Sequence, residues 1–146
     1  MAQLDFEIPK DFLKELEKAA DLDRIAPKML EAAAPIVANE LKSRLRRHDR
    51  TGQLSSSVKA SKPKYNEKHG GHSVFVGPSG KSKTYLDNAG KLRIRGDSER
   101  NMEKFFIIEY GKRGQAPQPM IADVVKATEN AAIEKMREVY EKEAGI

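Results

Sequence analysis

Phe12, Leu13, Leu16, Ala19 and Ala20 set apolar residues at three- and four-residue spacing among charged ones, the signature of an amphipathic helix. After a short extended start, Asp11 is placed to cap it. A second stripe, Met29, Ala33, Val37, Leu41 and Leu45, advances in strict steps of four from near Asp23, with Pro27 close to its first turn. Pro35 falls inside this stripe, where proline removes a backbone donor and crowds the carbonyl four residues back. A kink or break is predicted there, and two helices in series or one bent helix both satisfy the pattern.

Helical periodicity stops at Thr51-Gly52. Residues 54–65 are rich in Ser, Val and Lys, and residues 72–76 end at Gly77-Pro78. They predict two antiparallel strands joined by a polar loop at residues 66–71. Residues 79–100 are mostly polar and read as an exposed, mobile loop, although Leu92 and Ile94 alternate with Arg93 and Arg95 as in a short strand or hairpin arm. Phe105, Phe106, Ile107 and Ile108 are the most apolar run and predict the central strand. A turn-rich link through Gly111, Gly114, Pro117 and Pro119 then opens a last helix. Its inward positions are Ile121, Val124, Val125, Ala132, Ile133, Met136 and Tyr140.

The order predicts one α+β domain over residues 1–146: helices at about 10–48, an antiparallel sheet of about four strands at about 54–111 with the mobile loop at about 79–100, and a C-terminal helix at about 120–143. There is no internal repeat.

Composition and charge narrow the picture. At 146 residues, folding buries roughly 68% of the unfolded surface, yet 38% of residues are apolar, 34% are charged and tryptophan is absent. The core is therefore modest, and part of the stability is expected from neighbours. Net charge is +5, suited to an acidic partner but small for a dedicated nucleic-acid binder. The chain has no cysteine, which removes disulfides, thiolate metal sites and a cysteine nucleophile. No apolar run reaches signal-peptide or membrane-span length, so a cytoplasmic, unexported chain without a membrane partner is expected.

Candidate chemistry is thin. Residues 77–82, Gly-Pro-Ser-Gly-Lys-Ser, look like a phosphate-binding loop, but Phe75 stands where its first glycine belongs and no helix is predicted to follow. His48, His69 and His72 lack well-held companions for a metal. Ser55, Ser56 and Ser57 sit outside any nucleophile elbow. Paired carboxylates such as Glu15 and Glu17 lie among lysines, as on a solvated helix face. No catalytic residue, cofactor or metal is expected, and the chain reads as a non-enzyme. Arg44, Arg46, Arg47 and Arg50 admit two readings: phosphate contacts that carry no base specificity, or a solvated cationic helix end favoured by the helix dipole.

Three stretches together resemble the gene-product-ten-like proteins of tailed phages, grouped with head-tail joining and tail-completion (minor tail) proteins. The first is Ala34-Pro35-Ile36-Val37 through the basic helix into Thr51-Gly52-Gln53-Leu54-Ser55-Ser56-Ser57-Val58. The second is Phe105-Phe106-Ile107-Ile108-Glu109-Tyr110-Gly111, and the third is Ala116-Pro117-Gln118-Pro119-Met120 before the last helix. The chain departs from the family in Arg47-His48-Asp49-Arg50, where a proline is common, and in the loop at 79–100. The resemblance implies a virion structural protein made in the host cytoplasm and working at the neck. It also implies a ring, plausibly a hexamer, that joins portal-connector or tail neighbours around a lumen through which DNA passes. Gly52 and Gly111 then act as structural turns, while Arg93, Arg95, Phe105 and Ile107 are the expected assembly interface. The competing reading is a small basic nucleic-acid-binding protein using the Arg44–Arg50 cluster.

Overall fold

The computed structural model describes residues 9–68 and 70–145; the expected extended start and His69 lie outside them. Helix α1 (Lys10–Leu45) runs unbroken through Pro27 and Pro35 into a 3-10 turn at Arg46–His48. The break expected at Pro35 does not occur. Pro35 faces solvent, and the carbonyls that lose a donor belong to Asp23 and Glu31, both exposed residues, where the loss of an N–H partner costs little. Asp11 falls in the first turn, after an N-cap at Pro9, where its charge still favours the positive end of the helix dipole.

Asp49 shapes the exit from α1. Its carboxylate accepts the N–H of Gly52 at 3.1 Å and of Ser55 at 2.7 Å. Gly52 takes φ +77°, and the chain turns into a short helix α2 (Gln53–Ser56). The strand expected from residue 54 therefore starts only at β1 (Val58–Ala60). Serine favours this local turn because Ser55, Ser56 and Ser57 each donate a hydroxyl to a carbonyl three residues back.

The hairpin expected around residues 66–71 forms in two pieces. Strand β1 pairs antiparallel with β4 (Val76–Pro78), and β2 (Lys64–Asn66) with β3 (Gly71–Ser73). Between them, Ser61 N–H donates to Phe75 O at 2.7 Å and the Ser61 hydroxyl accepts Phe75 N–H at 2.9 Å. Pro63 lies in the same interruption and has no N–H to continue a ladder.

Residues 79–100 are not a loop: β5 (Lys81–Leu86) pairs antiparallel with β6 (Leu92–Arg100). Asp87 closes this hairpin, accepting the N–H of Ala89 and of Lys91 and the Arg93 side chain at 3.0 Å. Instead of one sheet of about four strands, the α+β fold carries, among the described residues, three two-stranded antiparallel sheets.

The largest correction concerns Phe105–Ile108. This run belongs to helix α3 (Asn101–Tyr110), not to a central strand. Four consecutive apolar residues suit either element, and the flanks decide: Asn101, Phe105 and Glu109, four apart, are all buried. Helix α4 (Ile121–Ala144) closes the chain, but Ile121, Val125 and Ile133 are exposed and the buried face is Val124, Thr128 and Ala132.

Helices α1 and α4 run antiparallel, with Lys28 on Glu143 at 2.7 Å near one end and Arg44 within 3.9 Å of Asp123 at the other. Ala33, Ala34 and Ala38 on α1 and Ala132 on α4 are buried, and such small side chains let helix backbones approach closely. The core joins Ala38, Leu41 and Leu45 of α1 to Leu54, Val58, Phe105, Met120 and Val124. Apolar burial contributes about 25 cal/mol per Å², so this small cluster supplies a modest hydrophobic stabilisation.

Candidate assembly surfaces

Two apolar surfaces stand open on a chain that is one-third charged. The first is built where α3, β4 and α4 meet. Phe75 just before β4, Phe106 and Tyr110 on α3, and Ile121 and Val125 on α4 are all exposed. Phe75, Phe106, Ile121 and Val125 line a cleft of about 200 Å³ whose inner wall includes Val37 and Leu41 of α1. Helical geometry sets this display. Phe105 turns into the core at 4% exposure, while Phe106 and Tyr110, four apart, share the outer face with ring centroids 5.9 Å apart. The second surface is a groove of about 480 Å³ between α1 and α4, with Met29, Ile133, Met136 and Tyr140 among its lining and Lys18 and Arg137 beside them. Contiguous exposed apolar patches, unlike scattered single residues, are candidates for contact with another protein.

The small net charge conceals a partition. Residues 41–86 hold eleven Lys and Arg against two Asp and Glu, and the remainder holds sixteen against twenty. The end of α1 and the hairpins β1–β4 are therefore strongly basic, while α4 carries an acidic surplus.

The residues singled out in the sequence have separate positions. Arg44 is held by Glu40 at 2.8 Å and approaches Asp123, so its charge acts inside the α1–α4 pair. Arg46 and Arg47 lie exposed in the 3-10 turn, and Arg50 is exposed just after it. Arg93 pairs with Asp87 across the β5–β6 turn, and Arg95 lies further along β6. The Asp87 carboxyl is held below its usual range, first by the Lys91 N–H and then by the Arg93 guanidinium. Phe105 is a core residue, and Ile107 is half-buried on α3. Of these four, Arg93 and Arg95 share β6, and Phe105 and Ile107 share α3. Gly111 caps α3 at φ +77° and ψ 176°, and a Cβ there would lie 2.8 Å from Gln115 O. The sequence did not mark Phe106, Tyr110 and Phe75 as one exposed surface. Their signal, an i,i+4 aromatic pair, emerges only once residues 101–110 are read as helix.

The polar features take structural parts. In the segment resembling a phosphate loop, Ser79-Gly80 turns β4 into β5, and no helix follows. Asn101 anchors that turn, donating its amide to Ser79 O at 2.8 Å and bonding the buried Ser82 hydroxyl. His72 reaches Asp23 at 3.0 Å and lies edge-on to Tyr65, tying the β2–β3 tip to α1. His48 is exposed in the 3-10 turn. Among the described residues, no group of three or more His, Asp or Glu is placed to hold a metal, and no helix is long and apolar enough to cross a membrane.

A family model described as "Bacteriophage HK97-gp10, putative tail-component" matches residues 10–96, more than half of the chain. The match covers α1, α2, the β1–β4 hairpins, β5 and the start of β6. No curated protein and no solved structure matches the chain. With a continuous α1, the Gly52 turn and the hairpins that follow all inside the matched stretch, the chain belongs to the HK97-gp10-like family of bacteriophage tail components.

Proposed function

We propose that the chain is a structural virion protein of a tailed phage or prophage, a head-tail joining or tail-completion subunit that acts by oligomeric assembly at the neck and catalyses nothing. The observation that carries this reading is the pair of open apolar surfaces, one around Phe106 and Tyr110 and one between α1 and α4. They lie on a member of a phage tail-component family with a small core of its own. Two different faces on one subunit are what a closed ring requires, since each copy must meet its neighbour head to tail. A ring, plausibly of six copies, then joins portal-connector or tail neighbours.

The test is electron microscopy of lysates from a phage or induced prophage lacking this reading frame, with and without complementation. Heads and tails that accumulate unjoined, or tails that are missing or abnormal in length, and are rescued by the gene, are the expected result. Complete infectious virions without it would remove the role.

The charge partition supports a second reading, contact of the basic hairpin side with DNA. It predicts duplex binding that weakens steeply with salt and is lost when Arg46, Arg47 and Arg50 are replaced by Ala. Absence of binding at low salt removes it.

A further inference from the structure

The groove between the N-terminal half of α1 and the C-terminal half of α4 has a chemistry that narrows its occupant. Met29 and Met136 offer thioethers, Tyr140 an aromatic face, and Lys18 and Arg137 two cations at its wall. Methionine sulfur favours aromatic neighbours and reshapes to fit them, and Lys or Arg is attracted both to ring faces and to carboxylates. An aromatic surface carrying an acid fits it best.

The chain presents such a surface on α3. Glu103, Phe106 and Tyr110 follow one another at three- and four-residue steps and so lie on one face. All three are exposed, Tyr110 at 66%. We infer that the α1–α4 groove receives the Glu103, Phe106 and Tyr110 face of α3 from a second copy of the chain. This rests on the assembly reading above and names the two faces through which copies join.

One molecule cannot make this contact with itself. Glu109 of α3 binds the first turn of α4, accepting the N–H of Met120 and of Ile121. Ile133 and Tyr140 lie 12 and 19 residues beyond Ile121, or roughly 18 and 28 Å along the helix axis. With groove and aromatic face at opposite ends of α4, every contact between copies leaves one of each unfilled, so assembly continues until a ring closes. A ten-residue helix is only about 15 Å long, so each contact is small, and copies hold together chiefly through ring closure or a template.

Because the chain has no cysteine, the contact can be trapped directly. Purified Tyr110→Cys/Ile133→Cys protein, treated with a short bismaleimide at high concentration and again in assembled particles, is expected to give a ladder of three or more linked copies. Neither single variant gives a ladder, and mixing the two singles gives linked dimers. Both positions are exposed, and unchanged circular dichroism and melting confirm the fold. Adding Glu103→Lys should cut the ladder yield roughly tenfold, as a like charge beside Lys18 and Arg137 opposes docking. No ladder in solution or in particles overturns the inference, as does a dimer formed by Ile133→Cys alone, which would place two identical grooves together. Normal complementation without a ladder removes this contact and leaves the neck role standing; a ladder with dispensable complementation removes the neck role and leaves the contact.

Discussion

The Glu109 carboxylate at the end of α3 accepts the backbone N–H of Met120 at 2.6 Å, so one helix supplies the N-terminal cap of the next across a turn-rich link. Glu109 is buried, and it also accepts the Ile121 N–H at 3.3 Å. No side chain of the α4 N-cap residue itself does this work. A charged acceptor at a helix N-terminus satisfies otherwise orphaned donors and meets the positive end of the dipole.

Replacing Glu109 with Ala is therefore expected to destabilise the fold by about 2–3 kcal/mol, since buried amides lose a charged acceptor. Glu109→Gln, which keeps an acceptor but loses the charge, should cost about 1 kcal/mol. Urea unfolding of the three proteins gives both values; equal stability of all three would show that water can replace the carboxylate.

Gly111 and Gly52 share a φ of +77° but differ in their surroundings. A Cβ at Gly52 meets nothing within 4 Å, whereas one at Gly111 would lie 2.8 Å from Gln115 O. Gly52→Ala should cost about 1–2 kcal/mol from left-handed backbone alone. Gly111→Ala should cost about 3 kcal/mol or more, because its ψ near 180° puts it in a region essentially confined to glycine and the loop must also shift. Thermal unfolding that ranks them in the opposite order would contradict this account.

Adjacent phenylalanines should behave oppositely. Phe105→Ala opens a cavity in the core and is expected to cost about 3–5 kcal/mol. Phe106→Ala, at a half-exposed site, should cost about 1 kcal/mol or less while weakening self-association, measured by sedimentation or by cross-linking. Equal losses of stability would mean that α3 is turned differently about its axis.

Acid should loosen the α1–α4 ends. The Glu143 carboxyl is held below its usual range, first by its hydrogen bond from Lys28. A carboxylate with a depressed folded pKa contributes stability that is fully present above its unfolded value and is lost as pH falls through the folded one. The loss therefore begins near the ordinary glutamate value of 4.5 and continues below it. Lys28→Met should flatten this part of the acid-unfolding curve, and added salt should do the same because the pair is exposed. An unchanged curve in both cases would show that the pair contributes nothing.

The sequence by itself determined the α+β class, the long helical start, the polar turn before Gly71, the last helix and the family. Each rests on a local signal: a run of apolar residues at steps of four, a cluster of turn residues, or a short motif such as Thr51-Gly52. Tertiary structure alone decided the rest. Pro35 is carried inside α1 because it faces water, which no periodicity reports. Residues 79–100 form a hairpin because Asp87 gathers the Ala89 and Lys91 N–H groups and the Arg93 side chain. Phe105–Ile108 became helix because burying Asn101, Phe105 and Glu109 on one face satisfied contacts with β5, α1 and α4 that are distant in sequence. That choice also turned Phe106 and Tyr110 outward, so the candidate interface stayed hidden until the helix was known. Four apolar residues in a row carry no period of their own, and only the partners that bury them decide which side faces out.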